Sequence, residues 1–278
     1  MPSPPDRYVV IGQPVAHSRS PAIHARFADA TGQSIRYERL PVPVGQFNAY
    51  TQQFFNAGGH GANVTVPFKV EAAQFADSLT NRARAAAAVN TLWQTADGRI
   101  WGDNTDGAGL VCDLRNRLAI ELTDANVLIL GAGGAVRGAV PALLAENPAR
   151  LTIANRTYSK AKTIADAVGK GVVATPLDSL DQPFDLVINA ISAGLTGGMP
   201  AVPEIVIGDD TTAYDMLYAE IETPFINWAR ARGVRRASDG FGMLVEQAAE
   251  SFYLWRGVRP DTTPVIAELA PTPRVDES

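Results

Sequence analysis

Residues 126–137 read Asn126-Val127-Leu128-Ile129-Leu130-Gly131-Ala132-Gly133-Gly134-Ala135-Val136-Arg137, and the architecture follows from this stretch. A Val/Leu/Ile run suited to a buried strand ends on glycines, and an Ala-rich helical pattern takes over. Without side chains the loop backbone can turn sharply and approach a pyrophosphate, while the following helix offers free N–H groups and the positive end of its dipole. The loop departs from a strict GxGxxG, because Val136 occupies the third glycine position, so a tight ligand-free connection is the alternative. The end of the next strand, Leu151-Thr152-Ile153-Ala154-Asn155-Arg156-Thr157, favours the dinucleotide. An NAD site usually carries Asp or Glu at this distance to bind the ribose hydroxyls, whereas Arg156 suits a 2′-phosphate through its planar guanidinium. NADP is therefore expected over NAD. Lys160 adds charge one turn into the next helix, and Thr157 either donates a hydroxyl hydrogen bond or caps that helix.

On either side of this unit, Val/Ile/Leu stretches alternate with helical patterns, which predicts an α/β chain with a largely parallel sheet. Upstream, strands are expected at Tyr8–Ile11, Arg36–Leu40 and Gly61–Val66, and helices at Pro21–Ala30, Gln46–Asn56 and Lys69–Ser78. Asp97-Gly98 reads as a two-residue hairpin turn between Thr91–Thr95 and Arg99–Gly102. A helix from Gly107 to about Leu118 leads into the glycine unit, and further strands are expected at Leu186–Asn189 and Ala213–Leu217. The last long helix, Phe241–Trp255, has an apolar face and stops at Gly257. The expected domains are 1–104, 105–240, and a C-terminal segment 241–278 that returns to the first.

The 278 residues suit two compact units, and 46% apolar against 19% charged residues can bury full cores. No apolar run reaches the ~18 residues of a membrane span, and the N-terminus lacks an export pattern, so a cytoplasmic protein is expected. The one cysteine, Cys112, excludes a disulfide framework, and with His17, His24 and His60 it makes no metal-ligand spacing, so no metal is expected. Against 24 basic residues stand 29 acidic ones, a net charge of −5 that gives no general attraction to nucleic acid.

Polar clusters mark a second ligand site. In Gly12-Gln13-Pro14-Val15-Ala16-His17-Ser18-Arg19-Ser20-Pro21, Ser20 reads as the N-cap of a helix; Ser18 has no such duty, and two hydroxyls beside a helix N-terminus can bind a small carboxylate. His17 and His24 read as structural hydrogen-bonders. The alternation in Asn63-Val64-Thr65-Val66-Pro67 puts Asn63 and Thr65 on one strand face, and Lys69 follows at the strand-to-helix switch where open α/β sheets bind ligands. Asn90 is either a turn residue or a ligand, Asp106 either caps its helix or acts chemically, and Gln247 either faces the ligand or is a solvated flank.

Taken together these segments resemble the shikimate dehydrogenase family, from near the start to about residue 265. The matching motifs are GxPxxHSxSPxxH, NVTVPFK, AVNT, GDNTDG, GAGGA, NRT, YDMxY and GMLxxQAAxSFxLW. The resemblance implies an N-terminal α/β substrate domain completed by the C-terminal helices and a Rossmann-like NADP domain. It implies reduction of 3-dehydroshikimate to shikimate in the chorismate pathway, by a monomer or homodimer whose partners are small molecules, not nucleic acid or membrane. Ser18 and Ser20 are assigned to the substrate carboxylate, and Thr65, Lys69, Asn90, Asp106 and Gln247 to the ring hydroxyls, with Tyr218 closing the site. The cofactor set is Gly131, Ala132, Gly133, Gly134, Ala135, Asn155, Arg156, Thr157, Lys160, Asn189, Ala190 and Met216, with Gly240 and Met243 near the nicotinamide. Ile191 replaces a frequent Thr, and Lys160 a frequent Arg, which exchanges a planar fork for a point charge.

Ketone reduction puts negative charge on the carbonyl oxygen, so a proton donor or cation is needed there. Lys69 is expected to fill that role, with Asp106 aiming it. The competing readings are a broader quinate/shikimate dehydrogenase, often NAD-dependent, and a catalytically silent NADP-binding regulator. Arg156 argues against the first, and the presence of both Lys69 and Asp106 against the second.

Overall fold

A computed structural model describes residues 4–191 and 202–270, so the expected segment 241–278 is seen only to 270. The chain divides into two compact units, one running to Gly109 and including Leu244–Leu269, the other spanning Leu110–Met243.

In the first unit β1 (Asp6–Gly12), α1 (Ser20–Thr31), β2 (Ile35–Pro41), α2 (Phe47–Asn56) and β3 (Gly59–Val64) build a parallel β2-β1-β3 core. There follow α3 (Lys69–Phe75), β4 (Ser78–Leu79), α4 (Asn81–Ala86) and the antiparallel pair β5 (Thr91–Gln94) and β6 (Ile100–Asp103), which complete a six-stranded sheet of order β2-β1-β3-β5-β6-β4. One sheet face packs on α2 and α3 through Val9, Ile11, Phe47, Phe54, Val64 and Phe68. Each such side chain removed from water contributes roughly 1.5–3 kcal/mol.

Three local expectations are corrected. Ser20 is the first helical residue of α1, not its cap; Arg19 holds the N-cap position, and the Ser18 hydroxyl accepts the Ser20 N–H at 3.3 Å. Ser18 therefore satisfies a free amide of the first turn, the local duty expected of Ser20. β3 ends at Val64, two residues early: Thr65 N–H still reaches the Ile11 carbonyl at 2.9 Å, but the chain then folds into a turn in which Phe68 N–H meets the Thr65 carbonyl and the Phe68 ring is buried. In the hairpin Thr95 and Arg99 still pair and Gly98 N–H bonds the Thr95 carbonyl, so the loop has three residues and only Gly98 takes positive φ. Such a turn followed by a left-handed glycine is the next commonest hairpin solution after the two-residue one.

α5 (Asp106–Cys112) passes into a π-helical turn, Asp113–Arg117, and then to the second unit's strands. These are β7 (Asn126–Leu130), β8 (Arg150–Asn155), β9 (Val172–Pro176), β10 (Leu186–Asn189), β11 (Thr212–Asp215) and β12 (Arg236–Ser238), with helices α6 (Gly134–Leu144), α7 (Tyr158–Val168) and α8 (Pro224–Arg230) between them. The sheet is parallel throughout, in the order β12-β11-β10-β7-β8-β9, which is the doubly wound Rossmann order. Alternation along β7 sends Val127 and Ile129 to the core shared with α6, and Leu128 and Leu130 to the core shared with α8. Chain direction across the sheet reverses between β7 and β10, the topological switch point at which such sheets bind ligands.

α9 (Phe241–Arg256) begins in the second unit and continues into the first, where α10 (Thr263–Leu269) also lies. No helix among the described residues is long and apolar enough to cross a membrane.

Candidate active site

In the first unit, the loops that follow β1 and β3 leave from the same edge of the parallel core, because parallel strands end together. The β3 loop delivers Lys69 at the start of α3, and the loop after β6 delivers Asp106 at the start of α5. Lys69 Nζ donates to Asp106 Oδ2 at 2.5 Å, and the two side chains retain 18% and 7% of their exposure, so water screens the pair little.

Asn90 fixes the other carboxylate oxygen. Its Oδ1 accepts the Thr105 N–H at 2.8 Å and the Thr91 hydroxyl at 2.9 Å, which forces Nδ2 to face Asp106. Nδ2 donates to Asp106 Oδ1 at 2.8 Å and to Thr105 Oγ1 at 2.9 Å, with Gln247 Oε1 at 3.3 Å. Asp106 is thus not a cap: its own N–H bonds the Asn104 side chain, and its carboxylate is turned inward. The alternatives left open for Asn90, Asp106 and Gln247 resolve toward one buried polar cluster, because Asn90 and Asp106 are almost fully buried and Gln247 touches both Asn90 and Thr105.

Asn63, Thr91 and Ser251 extend the cluster. Asn63 Nδ2 donates to Ser251 Oγ at 2.9 Å and to Thr91 Oγ1 at 3.2 Å, and its Oδ1 accepts the Tyr37 hydroxyl at 2.7 Å. Ser20 faces that same phenol, and Ser18 Oγ donates to Ser20 Oγ at 3.2 Å. Burial pushes the Tyr37 phenol up, so it remains a neutral donor. Tyr37 and Ser251 were not singled out as ligand-site residues by the sequence; Tyr37 lies on β2 and Ser251 four residues past Gln247 on α9, and only i, i+4 spacing hinted at the second. The Thr65 side chain has no hydrogen-bond partner among the described residues, which leaves its hydroxyl available. His24 is buried but stacks face to face on Tyr37 at 4.2 Å and leaves both ring nitrogens without a partner, so it is an aromatic core residue instead of the expected hydrogen-bonder.

In the second unit, Gly131 has φ +113° and its N–H bonds the Ala154 carbonyl at 2.8 Å, so the loop turns as only glycine does readily. A Cβ on Gly133 or Gly134 would meet nothing within 4 Å, and no side chain caps α6, a helix of 11 residues. Ala132 and Ala135 are part-exposed beside them, while Val136 is fully buried in the core, which explains why the third position need not be glycine. Arg156 just past β8 and Lys160 in the first turn of α7 are exposed, and their side chains have no partner among the described residues; Thr157 caps α7 without a side-chain bond, and Asn155 donates to the Thr157 carbonyl at 2.9 Å. Uncapped amides, open glycines and two unpaired cations fit a phosphorylated dinucleotide.

Across the switch point, Ala190 N–H bonds the Leu130 carbonyl, and Asn189 accepts the Ile191 N–H while donating to Asp215. Ile191 packs on the apolar core beneath instead of offering a hydroxyl. Met216 N–H bonds the Asn189 carbonyl at 2.8 Å, and Gly240 N–H the Leu217 carbonyl at 2.9 Å. A Cβ on Gly240 would lie 2.5 Å from the Met216 carbonyl oxygen, so only glycine fits. Met243 is buried, and Tyr218 stands edge-on to Phe241 in the same unit.

Residues 10–92 match the family model for the shikimate dehydrogenase substrate binding domain, 113–196 that for shikimate / quinate 5-dehydrogenase, and 240–270 that for the shikimate 5′-dehydrogenase C-terminal domain. A shikimate dehydrogenase (NADP(+)) of Alkalilimnicola ehrlichii is 51% identical over 268 residues, covering 96% of this chain and 99% of that one. Among solved structures, the Ael1 enzyme from Pseudomonas putida superposes with a TM-score of 0.91 at 44% identity, covering 95% of this chain and 98% of that one. Shikimate 5-dehydrogenase of Thermus thermophilus, solved with NADP(H) and shikimate, gives 0.84 at 32% identity, covering 93% and 96%.

Proposed function

The chain belongs to the shikimate dehydrogenase family, and from that premise we propose that Lys69 and Asp106 carry the proton side of its reaction. It is an NADP-dependent oxidoreductase that interconverts 3-dehydroshikimate and shikimate. NADP supplies or accepts the hydride when bound. In the reductive direction Lys69 Nζ donates a proton to the ketone oxygen as negative charge builds there; in oxidation the same nitrogen takes the hydroxyl proton. Asp106 holds Nζ with one oxygen, and Asn90 holds the other, so the ammonium is aimed before substrate arrives.

Ser18 and Ser20 take the substrate carboxylate, with Thr65, Asn90 and Gln247 toward the ring hydroxyls and Tyr218 closing the site. Gly131–Ala135 cradle the pyrophosphate, Arg156 and Lys160 pair with the 2′-phosphate, and Asn155, Thr157, Asn189, Ala190, Met216, Gly240 and Met243 complete the cofactor contacts. The reading takes the chain as a cytoplasmic enzyme of the chorismate pathway. The observation that carries the assignment of chemistry is the 2.5 Å Lys69–Asp106 contact in a largely buried polar cluster. Lys69→Ala is expected to lower kcat for NADP reduction by shikimate at least about 10²-fold, with a smaller change in KM. Near-normal turnover in the purified variant removes the lysine from the chemistry.

A further inference from the structure

Asp113 has no exposed surface, yet it carries a carboxylate that the reaction does not use. It opens the π-helical turn after α5, and Arg117 closes on it with Nε to Oδ1 at 2.5 Å and Nη2 to Oδ2 at 2.9 Å. A third donor comes from β11, where the fully buried Tyr214 places its hydroxyl 2.7 Å from Oδ2. A buried ion pair adds little net stability over apolar packing of the same volume, so its geometry is the more informative property.

That geometry meets the first turn of α9. A Cβ on Gly242 would stand 2.0 Å from Asp113 Oδ1 and 2.6 Å from Arg117 Nε, so the helix backbone rests directly on the ion pair. The Met243 backbone N–H lies near the same phenol. Arg117 Nη2 donates to Ser238 Oγ at 3.0 Å, and Asp239 Oδ1 accepts the Phe241 N–H at 3.1 Å. Residues 238–242 are therefore held at alternate positions, Ser238 and Gly242 by this cluster and Gly240 by the Leu217 carbonyl. The Asp113 charge also lies at the positive end of a 16-residue helix, where an anion is favoured.

We propose that Asp113, Arg117 and Tyr214 form a buried anchor that positions the first turn of α9, and with it Gly240 and Met243, against the nicotinamide. They are positioning residues for hydride transfer and touch neither ligand. The inference rests on the reading that places the nicotinamide beside Gly240 and Met243, and it adds what holds those residues in place.

Tyr214→Phe keeps the ring and removes the hydroxyl. Losing one buried hydrogen bond at the anchor is expected to cut kcat and raise the NADPH Kd by about fivefold or more. The Kd for adenosine 2′,5′-bisphosphate, which has no nicotinamide, and the KM for shikimate should stay within about twofold. Gly242→Ala, which pushes the helix off the ion pair, should give the same split by a different route. The proposal is overturned if both variants keep kcat and NADPH affinity within about twofold of wild type, or if the bisphosphate loses affinity as much as NADPH does. Failure of the underlying cofactor placement shows separately, as a Met243→Ala enzyme whose kcat and NADPH affinity both stay at wild-type values.

Discussion

A carboxamide can face a carboxylate with either its oxygen or its nitrogen, and at Asn90 the choice is made elsewhere. The Thr105 backbone N–H can only donate, so it claims Oδ1 and leaves Nδ2 for Asp106. Asn90 therefore donates to one Asp106 oxygen while the other holds Lys69. At the proposed cofactor end the corresponding residue is Arg156, exposed and unpaired among the described residues. Arg156→Asp is expected to weaken NADPH binding far more than NADH binding, because a carboxylate repels the 2′-phosphate and accepts ribose hydroxyls. Titrating both nucleotides measures this, and equal losses would contradict the assignment. Arg156 was readable from the sequence because it stands at a fixed distance from the glycine loop. The orientation of Asn90 was not, because its partners at 105 and 106 meet it only across the β5–β6 pairing.

At the scale of elements, α1, β2 and α9 pack through His24, Tyr37, Phe27, Phe252 and Trp255. Burial pushes the His24 imidazole down to about 3, so the folded protein binds no proton there between that value and the unfolded value near 6.5. The unfolded chain does, so stability is full above pH 6.5 and falls as pH drops through this window, by about 1.4 kcal/mol per unit. Between pH 6.5 and 5 His24 should thus cost about 2 kcal/mol, and His24→Phe should lose that much less in denaturant titrations over the same interval. An identical pH dependence in the variant would show that the imidazole titrates normally. The aromatic stripe of α9 was legible as a 3.6-residue pattern, whereas β4 and α4, two and six residues long, are too short to show periodicity. α4 exists because Thr80 caps it, its hydroxyl accepting the Ala83 N–H.

At the scale of the whole molecule, the first unit is discontinuous in sequence, and charged groups join its parts. Arg82 on α4 grips Asp103 at the end of β6 with Nε and Nη2 at 2.8 and 2.6 Å, and reaches Glu250 on α9 at 2.9 Å. Asp103 is buried and also takes the Thr80 hydroxyl. Arg82→Met should leave that carboxylate short of charge and lower unfolding free energy by about 2 kcal/mol, with Arg82→Lys recovering only part because a point charge cannot reproduce the fork. Urea unfolding at matched pH measures it; a loss below about 0.5 kcal/mol would make the network a surface pair of no consequence.

The main alternation of strands and helices, the glycine turn, the exposed Arg156 after β8 and the polar motifs rest on residue types at short spacings, and so could be read along the chain. Where β3 stops, which way Asn90 points and what Asp113 supports depended on partners about fifteen to more than a hundred residues away. Those choices are settled by hydrogen-bond and volume competition inside packed cores, a quantity that exists only once distant segments have met.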